Sequence, residues 1–174
     1  MKKTTIITIA FLAISFFTLN AADTATATSN VSVSSSGKKV FDFTLTKGWS
    51  NKLSEKKLIL IPPAKYPHIQ LWNIEKVKNI ADAEKTIANV LKSEVLKFKV
   101  KESKKIKIAG ADAKKLVGNG LEADDQDPSN AVVYLFTVNS KTFILCIHGE
   151  GDEAAKYADS ILTMLNTIKP VKQK

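Results

Sequence analysis

Arginine is missing from the chain altogether, cysteine occurs once, at Cys146, and histidine twice, at His68 and His148. Each shortage excludes something. A single cysteine cannot close an intramolecular disulfide, so the fold must be held by its core. One cysteine and two scattered histidines do not reach the usual zinc spacings. Without arginine there is no planar fork for bidentate phosphate bonds, and the lysines are not interleaved with aromatics, so nucleic acid is not an expected partner. No Gly-rich phosphate loop, no G-x-S-x-G nucleophile elbow and no H-E-x-x-H pair occurs. Long apolar runs are equally scarce. The only one, Ile6 to Leu19, covers 14 residues, short of the roughly 20 that span a bilayer, so no transmembrane anchoring is expected.

That run follows Lys2 and Lys3 and precedes Ala21 and Ala22, the pattern of a cleavable secretory signal peptide over residues 1–21. Residues 22–38, rich in Ala, Thr and Ser, read as a flexible tether that buries too little to offset its ordering entropy. Residues 39–174 are one domain's worth of chain, enough to form a core without staples. The formal charge is +9. Cleavage leaves 24 lysines against 17 acids, about +7, which suits modest attraction to anionic envelope surfaces. The expectation is a periplasmic or secreted monomer.

Within the domain the hydrophobic period alternates between two and 3.6. Val40 to Thr46 alternate as a half-buried strand, Lys57 to Ile61 form a second strand that stops at Pro62-Pro63, and His68 to Glu75 form a third. From Ile80 to Phe98 the apolar residues recur at three- and four-residue steps, which predicts an amphipathic helix of about five turns capped by Asn79 or Asp82. Three or four strands follow, with turns at Ala109-Gly110, Asp124 to Asn130 and Asn139-Ser140. The arms Val132 to Val138 and Thr142 to His148 are almost continuously apolar, so this hairpin should lie centrally, covered on both faces. A closing helix carries Ala154, Ala158, Ile161, Leu165 and Ile168 in one stripe. Glu150, Asp152 and Glu153 suit its positive end better than a paired-carboxylate catalytic site.

Cys146 and His148 would share a face of one strand. The cysteine sits among large apolar residues and its nearest charges are acidic, which is a core position and not the electropositive setting a thiolate needs. His148, at the strand end, is expected at the rim, bonded to a helix terminus or to Glu150. A Cys/His-dependent enzyme is the less favoured alternative. The acidic loop offers a different chemistry: Glu122, Asp124, Asp125 and Asp127, with Asn130, are oxygen donors for a weak divalent-cation site, although their spacing is not that of an EF-hand. Relief of their mutual repulsion is expected from neighbouring lysine ammonium groups before a bound cation. Trp49 and Trp72 are expected in core or edge packing. No cofactor and no catalytic residue is assigned, and the expected partner is an envelope protein or a small ligand.

The order of elements carries a resemblance. A strand ending in "FTLTKGW", an apolar strand running into prolines, "HIQLWNI", a long helix, "IKIAGADAKKL", the hairpin "AVVYLFTVNSKTFILCIHGE" and a closing helix together resemble the PsbP-like superfamily over residues 39–169. The resemblance implies an α+β fold, with an antiparallel sheet of about six strands flanked by helices on both faces. It also implies a non-enzymatic accessory or binding role, with no family catalytic motif to transfer.

Overall fold

A computed structural model describes residues 28–64, 67–77 and 79–172. The signal-peptide reading for residues 1–21 and the first part of the tether lie outside the described residues. The described residues form ten strands and three helices, in chain order β1 (Asn30–Ser35), β2 (Lys38–Thr44), β3 (Ser50–Ser54), β4 (Lys57–Ile61), β5 (His68–Asn73), α1 (Ile80–Lys85), α2 (Ile87–Leu91), β6 (Val95–Ile108), β7 (Ala111–Glu122), β8 (Pro128–Val138), β9 (Lys141–Gly149), α3 (Glu153–Leu165) and β10 (Lys169–Pro170).

The apolar hairpin is β8 and β9, joined at Asn139-Ser140, and it occupies the middle of a seven-stranded antiparallel sheet of order β3-β4-β5-β9-β8-β7-β6. Both of its faces are buried, as continuous apolarity requires. On one face Val132, Tyr134, Phe136, Phe143, Leu145 and Ile147 pack under α3 and a second, three-stranded sheet of order β1-β2-β10. The buried Tyr134 hydroxyl donates to the Ala158 carbonyl at 2.8 Å, tying the sheet to α3. On the other face Ala131, Val133, Leu135, Ile144 and Cys146 pack under Ala83, Ile87 and Leu91 of α1 and α2. The chain is therefore mixed α/β but mostly strand. In place of the two helix layers and six strands expected, one face is closed largely by a second sheet and the other by two very short helices.

Two sequence expectations are corrected. The tether over 22–38 is not a tether throughout, because residues 30–35 form β1, antiparallel to β2, with Val31 and Val33 buried. Val31 and Val33 alternate with polar residues, and Ser36 and Gly37, at φ 52° and 73°, make the turn into β2. The five-turn helix is also broken. Asn79 caps α1 by accepting from the Asp82 amide at 2.9 Å, but helix ends at Leu91, and Val95 and Phe98 belong to β6.

The cause lies across the sheet, in β7. A Cβ on Gly118 would stand 2.3 Å from the Lys99 carbonyl oxygen, and one on Gly120 2.4 Å from that of Leu96. These two glycines let the start of β6 lie directly against β7, and a bulge with Lys97 at φ 53° bends it there. Long-range pairing thus overrides a pattern that locally fits a helix. Gly120→Ala is expected to lower stability by about 1–3 kcal/mol, measured as a lower urea midpoint. An unchanged midpoint would mean that the close approach is not needed.

Candidate functional site

The bend at the start of β6 carries Glu94, in the turn after α2, over the α1–α2 face of the sheet. Three strands end near it. β9 presents Cys146 and then His148, β5 presents His68 opposite His148 and Gln70 opposite Cys146, and β7 ends at Glu122. Cys146 and His148 do share a face, but His148 is not at the rim: it is 4% exposed. Its Nε2 faces Glu94 Oε2 at 3.8 Å and its Nδ1 faces Glu122 Oε1 at 3.7 Å. Both separations exceed hydrogen-bond length, and neither ring nitrogen has a hydrogen-bond partner among the described residues. The more exposed His68 ring stacks on it, with centroids 5.1 Å apart and planes 14° from parallel.

Each carboxylate beside His148 has its own support. Glu94 accepts from Lys57 and Gln70 and from the Ser93 hydroxyl, and the Lys57 ammonium also lies 4.9 Å over the Trp72 ring. Glu122 accepts from the Ser129 hydroxyl at 3.3 Å. Burial works to raise the Glu94 carboxyl, but the facing His148 ring and the bonds from Lys57 and Ser93 outweigh it and hold the group down to about 2. Burial, and after it the Glu94 charge, push the Cys146 thiol well above its ordinary range. The thiol is fully buried and stays protonated.

The acidic loop folds beside this cluster. The Ala123 amide donates to the Glu94 carbonyl at 3.1 Å, and the Glu122 amide to the Asp127 carbonyl at 2.8 Å. Ligand oxygens of Glu122, Asp124 and Asp125 converge within 4.8 Å of one another. The Asp127 carboxylate is outside that group, and the Asn130 side chain is engaged elsewhere, donating to the Gly151 carbonyl at 2.5 Å. No lysine among the described residues pairs with Glu122, Asp124 or Asp125, so the expected relief by ammonium groups is not what the structure shows.

The loop and the start of α3 bound a cleft of about 820 Å³, lined by His68, Glu122, Asp124, Asp125, Glu150 and Glu153 among others, with no lysine among the described residues of its wall. A second groove of about 500 Å³ lies between β1 and the β3–β5 edge, and Trp72 and the exposed Leu53 line it. Trp49 instead packs in the core, edge-on to Tyr157 at 5.7 Å. Sequence reasoning reached the acidic loop and His148 but missed Glu94, Gln70 and Lys57. Nothing local distinguishes those three, since only the pairing of distant strands assembles them.

No protein-family model and no curated protein matches the sequence. Solved structures do match in shape. Cyanobacterial PsbP from Synechocystis sp. PCC 6803 superposes with a TM-score of 0.54 at 11% identity, covering 88% of this chain and 99% of that one. LpqN of Mycobacterium tuberculosis, described as involved in cell envelope biogenesis, gives 0.53 at 13% identity, covering 86% and 94%. A protein of Bacteroides thetaiotaomicron gives 0.51 at 12% identity over 76% of this chain, which spans only 46% of that protein's length. The chain has the PsbP-like fold. No helix of the described residues is long and apolar enough to cross a membrane.

A carboxyl that titrates near 2 in the folded chain and near 4.5 when unfolded binds its proton more readily in the unfolded state. The stabilisation is therefore complete above about pH 4.5 and is lost as pH falls through about 2, on the order of 3 kcal/mol in all. Urea midpoints measured across this range should fall steeply for the native chain and more gently for Glu94→Gln, which should also be less stable at neutral pH. Parallel acid limbs would show that Glu94 does not carry the effect.

Proposed function

We propose that the chain is an exported, non-enzymatic accessory or binding domain of the cell envelope, and that the acidic cleft is where it takes a positively charged ligand. The observation that carries this is charge segregation. In a chain of net charge +9, five carboxylates line one cleft and no lysine among the described residues enters its wall. Among the described residues only Glu153 of the five has a lysine partner, Lys156 at 2.7 Å, and like charges held together are unfavourable unless solvent or a cationic ligand relieves them. The leader pattern and the envelope role described for LpqN favour the same setting.

The test is affinity capture from envelope extract by the native chain and by a variant with Asp124, Asp125 and Glu150 changed to Asn, Asn and Gln. A partner bound through the cleft should be recovered by the first and depleted with the second, and elution should follow salt. Equal recovery by both would overturn the cleft assignment. The non-enzymatic part is checked at Cys146, which should resist iodoacetamide until denaturant is added. Rapid labelling of the native chain would reopen a thiol-dependent activity.

A further inference from the structure

We propose that the cleft holds a divalent transition cation of the zinc and manganese class, bound by Glu122, Asp124 and Asp125 of the loop together with Nδ1 of the buried His148. This rests on the reading of the cleft as the ligand site and names the ligand's class. Three converging carboxylates alone would not require it. The independent observation is His148, which is almost wholly buried, has neither ring nitrogen hydrogen-bonded among the described residues and aims Nδ1 at Glu122.

A neutral imidazole carries one proton, and both of its nitrogens here face carboxylates. Glu94 is the natural recipient of that proton. A histidine that ligates a metal habitually gives its other N–H to a carboxylate, which orients the ring and makes the free nitrogen a better donor. With Nε2 protonated toward Glu94, Nδ1 presents a lone pair to Glu122 Oε1 across 3.7 Å. In a buried setting two lone pairs facing each other repel, and a cation between them removes the repulsion. The span suits that role, since two donors on a tetrahedral zinc at about 2.1 Å lie about 3.4 Å apart.

The remaining ligands are arranged without being consumed. Asp124 accepts from the Asp125 amide and Asp125 from the Asp127 amide, each at 3.0 Å and each through a single carboxylate oxygen, which leaves the other oxygen of each for a metal. Asp124 and Asp125 are exposed, whereas Glu122 and His148 are buried. His68, stacked on His148, holds the ring against rotation. One imidazole with three carboxylates points to a borderline transition ion. Calcium takes oxygen ligands and would leave His148 unused.

The experiment titrates the mature chain with zinc, manganese and calcium by calorimetry, with bound metal measured after dialysis. Zinc should bind at one equivalent. His148→Asn should weaken zinc by about tenfold or more and leave calcium unaltered, and Glu94→Gln should weaken zinc by about 10–100-fold. Asp124→Asn with Asp125→Asn should weaken every ion, and Asp127→Asn none. If His148→Asn fails to fold, nitrogen NMR of the native chain decides: zinc should shift His148 Nδ1 while Nε2 keeps its proton. No zinc binding, zinc binding indifferent to His148, loss with His68→Asn but not with His148→Asn, or both His148 nitrogens protonated and unmoved by zinc would each overturn the proposal. A silent zinc titration beside partner capture that still depends on Asp124 and Asp125 would sink the metal and leave the cleft reading standing.

Discussion

A hairpin that is apolar on both sides dictates the rest of this fold. β8 and β9 bury side chains alternately up and down along nearly their whole length, so each face needs its own cover. With helix scarce, the chain meets that need asymmetrically. One face receives α3 and the small sheet, whose Phe41 sits edge-on to Phe136 and Phe143. The other receives the short helices α1 and α2 and the inbound start of β6. At 11–13% identity to its structural neighbours, a shared fold must rest on such a pattern of coverage and not on particular side chains.

The unusual chemistry lies where the second cover runs out. α1 and α2 reach Cys146 but not the end of β9, and at His148 the apolar lid gives way to Glu94, Glu122 and Gln70. Burying carboxylates costs several kcal/mol per ion unless partners compensate. Glu94 is compensated by three donors, whereas Glu122 has one hydroxyl bond and an imidazole too distant for a hydrogen bond. The polar end of the hairpin is thus well satisfied on the Glu94 side and poorly satisfied on the Glu122 side. That imbalance is where a ligand would find binding energy.

Much of the fold was legible in the sequence because it was written locally. The central hairpin, its two-residue turn, the strands at 57–61 and 68–73 and the stripe of α3 all follow from period and turn chemistry within a dozen residues. What was not legible depended on partners far along the chain. Val31 and Val33 are too few to announce a strand in a Ser-rich stretch, and only β2 beside them makes them one. Val95 and Phe98 satisfy a helical period and a strand equally, and Gly118 and Gly120 decide between the two. In the site, the loop carboxylates and His148 stood out by type. Glu94 did not, because a glutamate in a lysine-rich amphipathic stretch looks like any solvated charge.

The lysines bear on how any cation would arrive. Many lie on β6 and β7, where Lys104 faces Lys115 and Lys105 faces Lys114 across the pair, with Glu84 relieving only Lys114 among these. Like charges in register destabilise a strand pair, and they are tolerated here at the exposed edge of the sheet. A chain of net charge +9 therefore offers a cation no long-range steering, since beyond about 8–10 Å at physiological salt the carboxylates are screened and the overall field opposes approach. Attraction has to be short-range, supplied by donor atoms that the fold already holds close together. A loosely acidic surface would not meet that requirement. A site anchored by a buried histidine and a buried glutamate, with two exposed aspartates at its mouth, does.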